Sequence, residues 1–133
     1  MSWNGVKKQT HKQEIESWCE EMGIKNYTIN DKGEIDVDGD VDFRYNKNLK
    51  ELPYKFGRIN GHFVLAKCKN LISLKNCPDY VNSSFDIDFC INLDSLEGCP
   101  KEVGSVFWCR HCKRKFTEEE VISWCKVKGN IYI

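Results

Sequence analysis

The stretch NLISLKNCPDYVNSSFDIDFCI, residues 70–91, is preceded without a gap by NLKELPYKFGRINGHFVLAKCK over 48–69 and followed by NLDSLEGCPKEVGSVFWCRHCK over 92–113. The starts at Asn48, Asn70 and Asn92 lie 22 residues apart, and residue classes recur at fixed offsets. Leu49, Leu71 and Leu93 align, as do Ile59, Val81 and Val103, then Phe63, Phe85 and Phe107, then Cys68, Cys90 and Cys112. Such a period lies within the range of about 20–29 residues used by coil-stacking repeats, whose single units cannot bury their own apolar side. At least three must stack, and three are present.

Across a repeat boundary, Phe63-x-Leu65-x-x-Cys68-x-x-Leu71-x-x-Leu74 has the spacing of a leucine-rich-repeat coil. The i, i+2 pair puts two side chains on one face of a short strand, and the later positions turn the chain around a shared core. One period earlier, Val41-x-Phe43-x-x-Asn46-x-x-Leu49-x-x-Leu52 fits the same template with Asn where later copies have Cys. An inward Asn satisfies turning backbone that would otherwise be buried without partners. Cysteine is small, readily buried and carries a weak S–H donor, so it can take the same place. The spacing predicts structural roles for Cys68, Cys90 and Cys112. It also predicts an α/β chain: a short leucine-rich-repeat solenoid of parallel strands in coils of about 22 residues.

Each end carries cap signals. Thr10 with Gln13 forms a capping box ahead of Ile15, Trp18, Cys19 and Met22 at helical spacing. Residues 27–29 and 34–37 flank Asn30-Asp31-Lys32-Gly33 as a hairpin. Thr117 and Glu120 repeat the capping box before Val121, Ile122, Trp124 and Cys125, and Val127-x-x-x-Ile131-x-Ile133 repeats the spacing Val103-x-x-x-Phe107-x-Cys109. Similarity between residues 14–19 and 120–125 predicts that both helices press a tryptophan onto an end of the stack. The chain thus divides into an N-terminal helix and hairpin cap (1–34), repeat coils (35–113) and a C-terminal helix-strand cap (114–133), within one domain.

The 133 residues include 20 Lys+Arg and 20 Asp+Glu, so the formal net charge is zero, which argues against a basic nucleic-acid coat protein. No apolar run approaches the roughly 18 residues of a membrane span, and the first residues lack a signal peptide's apolar centre. The expectation is a soluble cytoplasmic chain with its eight cysteines reduced.

The chain resembles the leucine-rich-repeat-like small accessory proteins of T4-like tailed bacteriophages. The likeness is carried by residues 27–30 leading to Gly39-Asp40-Val41, by Leu52-Pro53 with Lys55-Phe56-Gly57, by the run from Ser95 to Gly104, and by residues 116–121 with Lys128-Gly129. It covers roughly residues 13–133, with Asn76 and Asn82-Ser83 standing where glycines are expected. The motifs specify architecture rather than activity. What the resemblance implies is a phage protein in the infected host cell.

Cys109-Arg110-His111-Cys112 contains the C-x-x-C of a zinc knuckle, but no second C-x-x-C exists, and Cys109 and Cys112 each have an inward place in the repeat. Asp36, Asp38, Asp40 and Asp42 alternate with Ile35, Val37 and Val41, as a strand with one wet face would, and Gly39 stands too early for an EF-hand loop. Cys77 and Cys99, 22 residues apart, should lie one above the other as reduced thiols. No phosphate loop or nucleophile elbow is present, so neither an enzyme nor a cofactor is expected.

With Phe63-x-Leu65 and its equivalents inward, the intervening residues form an offered concave face. Its candidate contact residues are Arg44, Tyr45, His62, Lys67, Asp86, Asp88, Phe89, Trp108, Arg110, His111 and Tyr132, accompanied by Val64 and Ala66. Aromatics and arginine are the residues that most often anchor protein interfaces. The leading expectation is a monomeric, non-enzymatic module that binds and inhibits or redirects a bacterial host protein. Lys7-Lys8, Lys67–Lys69 and Arg110–Lys115 leave a nucleic-acid module as an alternative, and a self-assembling phage component is a third.

Overall fold

The computed structural model of the chain describes residues 9–133. Helix α1 (His11–Glu21) begins with the expected box: the Gln13 N–H donates to Thr10 Oγ1, and the Thr10 N–H donates to Gln13 Oε1 at 2.8 Å. Strands β1 (Tyr27–Ile29) and β2 (Ile35–Val37) form the antiparallel hairpin, with Asn30 Oδ1 accepting the Lys32 and Glu34 N–H groups across the turn. Beyond it the chain is a parallel β-solenoid of about four coils of roughly 22 residues, closed by a helix-strand segment.

Each coil carries two strands separated by a short corner. The pairs are β2 with β3 (Val41–Asp42), β4 (Phe56–Ile59) with β5 (Phe63–Val64), β6 (Tyr80–Val81) with β7 (Phe85–Asp86), and β8 (Glu102–Val103) with β9 (Phe107–Trp108). Helix α2 (Glu118–Trp124) then leads to β10 (Lys126–Val127) and β11 (Ile131–Tyr132). Two sheets result, β1-β2-β4-β6-β8-β10 and β3-β5-β7-β9-β11. The spacing in the sequence revealed the β3-to-β11 sheet and the hairpin signal revealed β1 and β2, whereas β4, β6, β8 and β10 were read only as connections. In those strands the repeat shows one recurring inward residue, Ile59, Val81 or Val103, rather than an i, i+2 pair such as Phe63 and Leu65, so no alternation marks them.

Register is the 22-residue repeat made physical. Phe63 pairs with Phe85 and Phe85 with Phe107, with ring centroids 6.2 and 5.2 Å apart, and all three are fully buried. The last rung shifts: Val127 pairs with Val103 and Ile131 with Phe107, an offset of 24, because α2 occupies that coil's side.

The cysteines form a ladder beside the aromatic column. Cys68 Sγ donates to the Phe43 carbonyl at 3.1 Å, Cys90 Sγ to Leu65 at 3.1 Å, and Cys112 Sγ to Ile87 at 3.3 Å, each reaching back one coil. Asn46, in the first coil, is only half-buried and instead closes its own turn by accepting the Asn48 N–H. The corner between sheets has a second ladder: Asp40 Oδ1 accepts the His62 N–H, His62 Nδ1 the Ser84 N–H, and Ser84 Oγ the Val106 N–H. Three different acceptors thus serve one position, which satisfies corner donors that the sheets leave over.

Asn76 fills the place where a glycine was expected with φ 71°, the left-handed region that Gly98 occupies one period later. Asn is one of the few residues that enters this region at modest cost.

Trp18 packs edge-on against Phe43 and Phe56 with centroids 5.9 Å from each, sealing the N-terminal end with Ile15 and Cys19. The expectation for the other end is corrected. Trp124 is exposed, and Phe116, Val121 and Cys125 fill that end instead. Trp124 is the last helical residue of α2, and the chain turns into extended backbone at Cys125, which is buried in its place.

The column makes a prediction. Phe85→Ala should lower unfolding free energy by about 3–5 kcal/mol, and Phe89→Ala by less than about 1 kcal/mol, in urea titrations. Equal losses would contradict the assignment of inside and outside.

Candidate binding face

The outer surface of the β3-to-β11 sheet carries the candidate residues in rows that step one coil at a time. The central row is Asp42, Val64, Asp86, Trp108 and Tyr132, each paired in register with the next. Trp108 and Tyr132 stack at 4.4 Å between centroids, 19° from parallel. The neighbouring row is Arg44, Ala66, Asp88 and Arg110. Asp88 is only 5% exposed, and Arg110 holds it from one coil on: Nε and Nη2 reach Oδ2 at 3.1 and 2.8 Å while the Arg110 backbone N–H takes Oδ1 at 2.7 Å. That pairing raises the proton affinity of Arg110, chiefly through the hydrogen bonds to Asp88. The guanidinium carbon lies 4.9 Å from the Trp108 ring centroid. Asp88, Arg110, Trp108 and Tyr132 therefore form one braced cluster on an otherwise open sheet.

The third row, Tyr45, Lys67, Phe89 and His111, has an unexpected backbone. All four residues adopt φ between 58° and 65°, a conformation that costs a non-glycine residue about 1–2 kcal/mol. Their side chains are exposed and contact one another along the axis. Lys67 Nζ donates to the Tyr45 hydroxyl at 3.0 Å and lies 5.0 Å above that ring, and Phe89 stacks on His111 at 4.6 Å. The Lys67 ammonium lowers the Tyr45 phenol's proton affinity. No periodicity argument could have found this strain, since bulky residues are disfavoured in the left-handed region.

Several expected contact residues sit differently. Val64 and Ala66 are buried rather than offered, because their short side chains lie between longer neighbours in adjacent coils. Asp88 is buried as the partner of Arg110, and His62 is exposed with its Nδ1 committed to the corner ladder. Asp86 is half-buried, and burial raises its carboxyl above the ordinary range. A shallow depression of about 390 Å³ lies over Val64, walled by His62, Asp86 and Trp108. Lys7 and Lys8 lie outside the described residues.

Burial pushes the thiols up: Cys68 and Cys112 to about 11, Cys109 and Cys125 to about 12. Of the two thiols a zinc knuckle would use, Cys109 is buried and Cys112 donates to a backbone carbonyl. Among the described residues no three His, Cys, Asp or Glu side chains converge as metal ligands. Cys77 and Cys99 are unpaired and buried.

Among the described residues no helix is long and apolar enough to cross a membrane. Comparison with protein-family models, curated proteins and solved structures returns no significant match for this chain. The phage resemblance therefore rests on its quoted motifs alone.

Seven thiols are buried and Cys112 is half-buried. A disulfide-exchange reagent at neutral pH should titrate at most Cys112 in the native protein and all eight thiols in denaturant. Rapid native reaction of three or more would contradict the ladder.

Glu120 gives a pH prediction. Paired bonds from Arg114 Nη1 and Nη2, at 2.9 and 2.7 Å, hold its carboxyl down at about 2, with the Thr117 N–H contributing. A depressed carboxylate stabilises the fold above its unfolded value near 4.5, and the contribution fades as pH falls towards 2. Thermal midpoints of Glu120→Gln should accordingly fall less steeply than wild type between those pH values.

Proposed function

We propose that this chain is a non-enzymatic protein-binding module whose contact surface is the outer face of the β3-to-β11 sheet. The supporting observation is the braced cluster of Trp108, Tyr132, Arg110 and Asp88. Tryptophan, tyrosine and arginine dominate interface hot spots, and a rigid cluster loses little side-chain freedom when a partner covers it. The fold gives no comparable reason for a stacked Trp–Tyr pair at the outside of a small sheet.

Size sets a condition on the partner. Five strands spaced about 4.8 Å apart run about 19 Å, and a standard interface covers about 800 Å² on each side. The sheet supplies only part of that area, so the adjacent corner carrying Tyr45, Lys67, Phe89 and His111 belongs to the contact. Given the resemblance to T4-like phage accessory proteins, the partner is a bacterial host protein that a monomer of this chain inhibits or redirects in the host cytoplasm.

Affinity purification from infected cells identifies the partner by mass spectrometry. Trp108→Ala combined with Tyr45→Ala should abolish capture while leaving the unfolding midpoint within a few degrees of wild type. Unchanged capture would refute the assignment of this face.

A further inference from the structure

The uniform net neutrality of the sequence conceals a division of charge. Residues 31–42 hold six acidic side chains against Lys32 alone. At the far corner, where each coil leaves the β3-to-β11 sheet, the stretches 44–50, 67–69, 89–93 and 110–115 hold nine lysines and arginines and no acid. Backbone N–H bonds from Tyr45, Lys67 and Phe89 to the carbonyls of Ala66, Asp88 and Arg110 bring these stretches into register. Asn70 and Asn92 fix the next positions by donating to the carbonyls of Lys47 and Lys69, both at 2.6 Å.

The outcome is a row of Lys47, Lys69, Ile91 and Lys113 beside the left-handed row. All four are exposed, Ile91 by 53%. Lys47 and Lys69 have no acidic partner among the described residues, and the exposed contact of Lys113 with Asp94 at 3.8 Å is of a kind that contributes little. The adjoining rings strengthen the positive character. Phe89 and His111 cover each other's faces, and Lys67 lies between the rings of Tyr45 and Phe89. What such a stack turns outward is ring edge, the electropositive part of an aromatic side chain.

We propose that this corner seats an acidic amphipathic helix of the partner, lying along the solenoid axis with acidic side chains over Lys47, Lys69 and Lys113 and an apolar one over Ile91. The inference rests on the protein-binding role of the neighbouring face. Spacing selects a helix. Successive coils stand about 4.8 Å apart and a helix returns to one face every 5.4 Å or so, which leaves a mismatch of only about 2 Å over three steps. Same-face residues of an extended strand recur at about 6.7 Å and would drift by about 6 Å over the same length. A nucleic-acid strand fits less well, because Phe89 and His111 cover each other's facing ring surfaces and the chain carries no net positive charge.

The test uses a helical peptide of about four turns carrying glutamate, glutamate, leucine and glutamate at one-turn intervals, titrated against the whole protein by amide NMR. Shifts should centre on Lys47, Lys69, Ile91 and Lys113, and affinity should fall about tenfold or more in the double variant Lys47→Glu/Lys69→Glu and again at high salt. Lys32→Glu should leave it unchanged. Equal binding of a peptide of the same composition in scrambled order, or tighter binding of an oligothymidylate at the same salt, would overturn the proposal. So would full capture of the cellular partner by Lys47→Glu/Lys69→Glu when Trp108→Ala loses it, a result that removes the helix seat and leaves the sheet-face function standing. Full capture by both would remove the two together.

Discussion

The S–H and N–H bonds that pass from each coil to the one before it set the register on which everything else depends. A parallel pair of two-residue strands is too short to fix its own alignment, and a slip of one residue would turn every inward side chain outward. Here the alignment is held by the thiols of Cys68, Cys90 and Cys112 on carbonyls one coil back and by the corner acceptors Asp40, His62 and Ser84. With register fixed, Phe63, Phe85 and Phe107 pile into one buried column, and no buried side-chain nitrogen or oxygen among the described residues lacks a partner.

The same register arranges the outside. Positions that are 22 apart become neighbours, so a charge or ring repeated at that interval becomes a stripe. One corner accumulates lysines in this way, while the acidic residues 31–42 gather in the first coil, and a chain neutral in sum has its charges divided. The left-handed row is the cost of the tight turn at each coil's corner. Its occupants, Tyr45, Lys67, Phe89 and His111, recover part of that cost by contacting each other along the axis.

Much of this was legible in the sequence because stacking repeats an identical environment. Three copies of one pattern gave the coil, the inward column, the buried thiols and, through two capping boxes, both helices. What the pattern could not give was anything decided by a single place. Strands β4, β6, β8 and β10 were hidden because the repeat shows only one inward residue in each, and the burial of Val64 and Ala66 depends on the length of neighbours in other coils. Trp124 resembles Trp18 in its local sequence, yet α2 ends at that residue and turns it out. At the binding face the residue types were visible beforehand. Their bracing was not, because Asp88 meets Arg110 and Trp108 meets Tyr132 only across coils.

The most direct test of the register is a set of aromatic nuclear Overhauser contacts in selectively phenylalanine-labelled protein. Strong contacts should join Phe63 to Phe85 and Phe85 to Phe107, with none between Phe63 and Phe107, which are two coils apart. Absence of the two neighbouring contacts, or a direct one between the outer pair, would contradict the stacked column and with it the surface that the column defines.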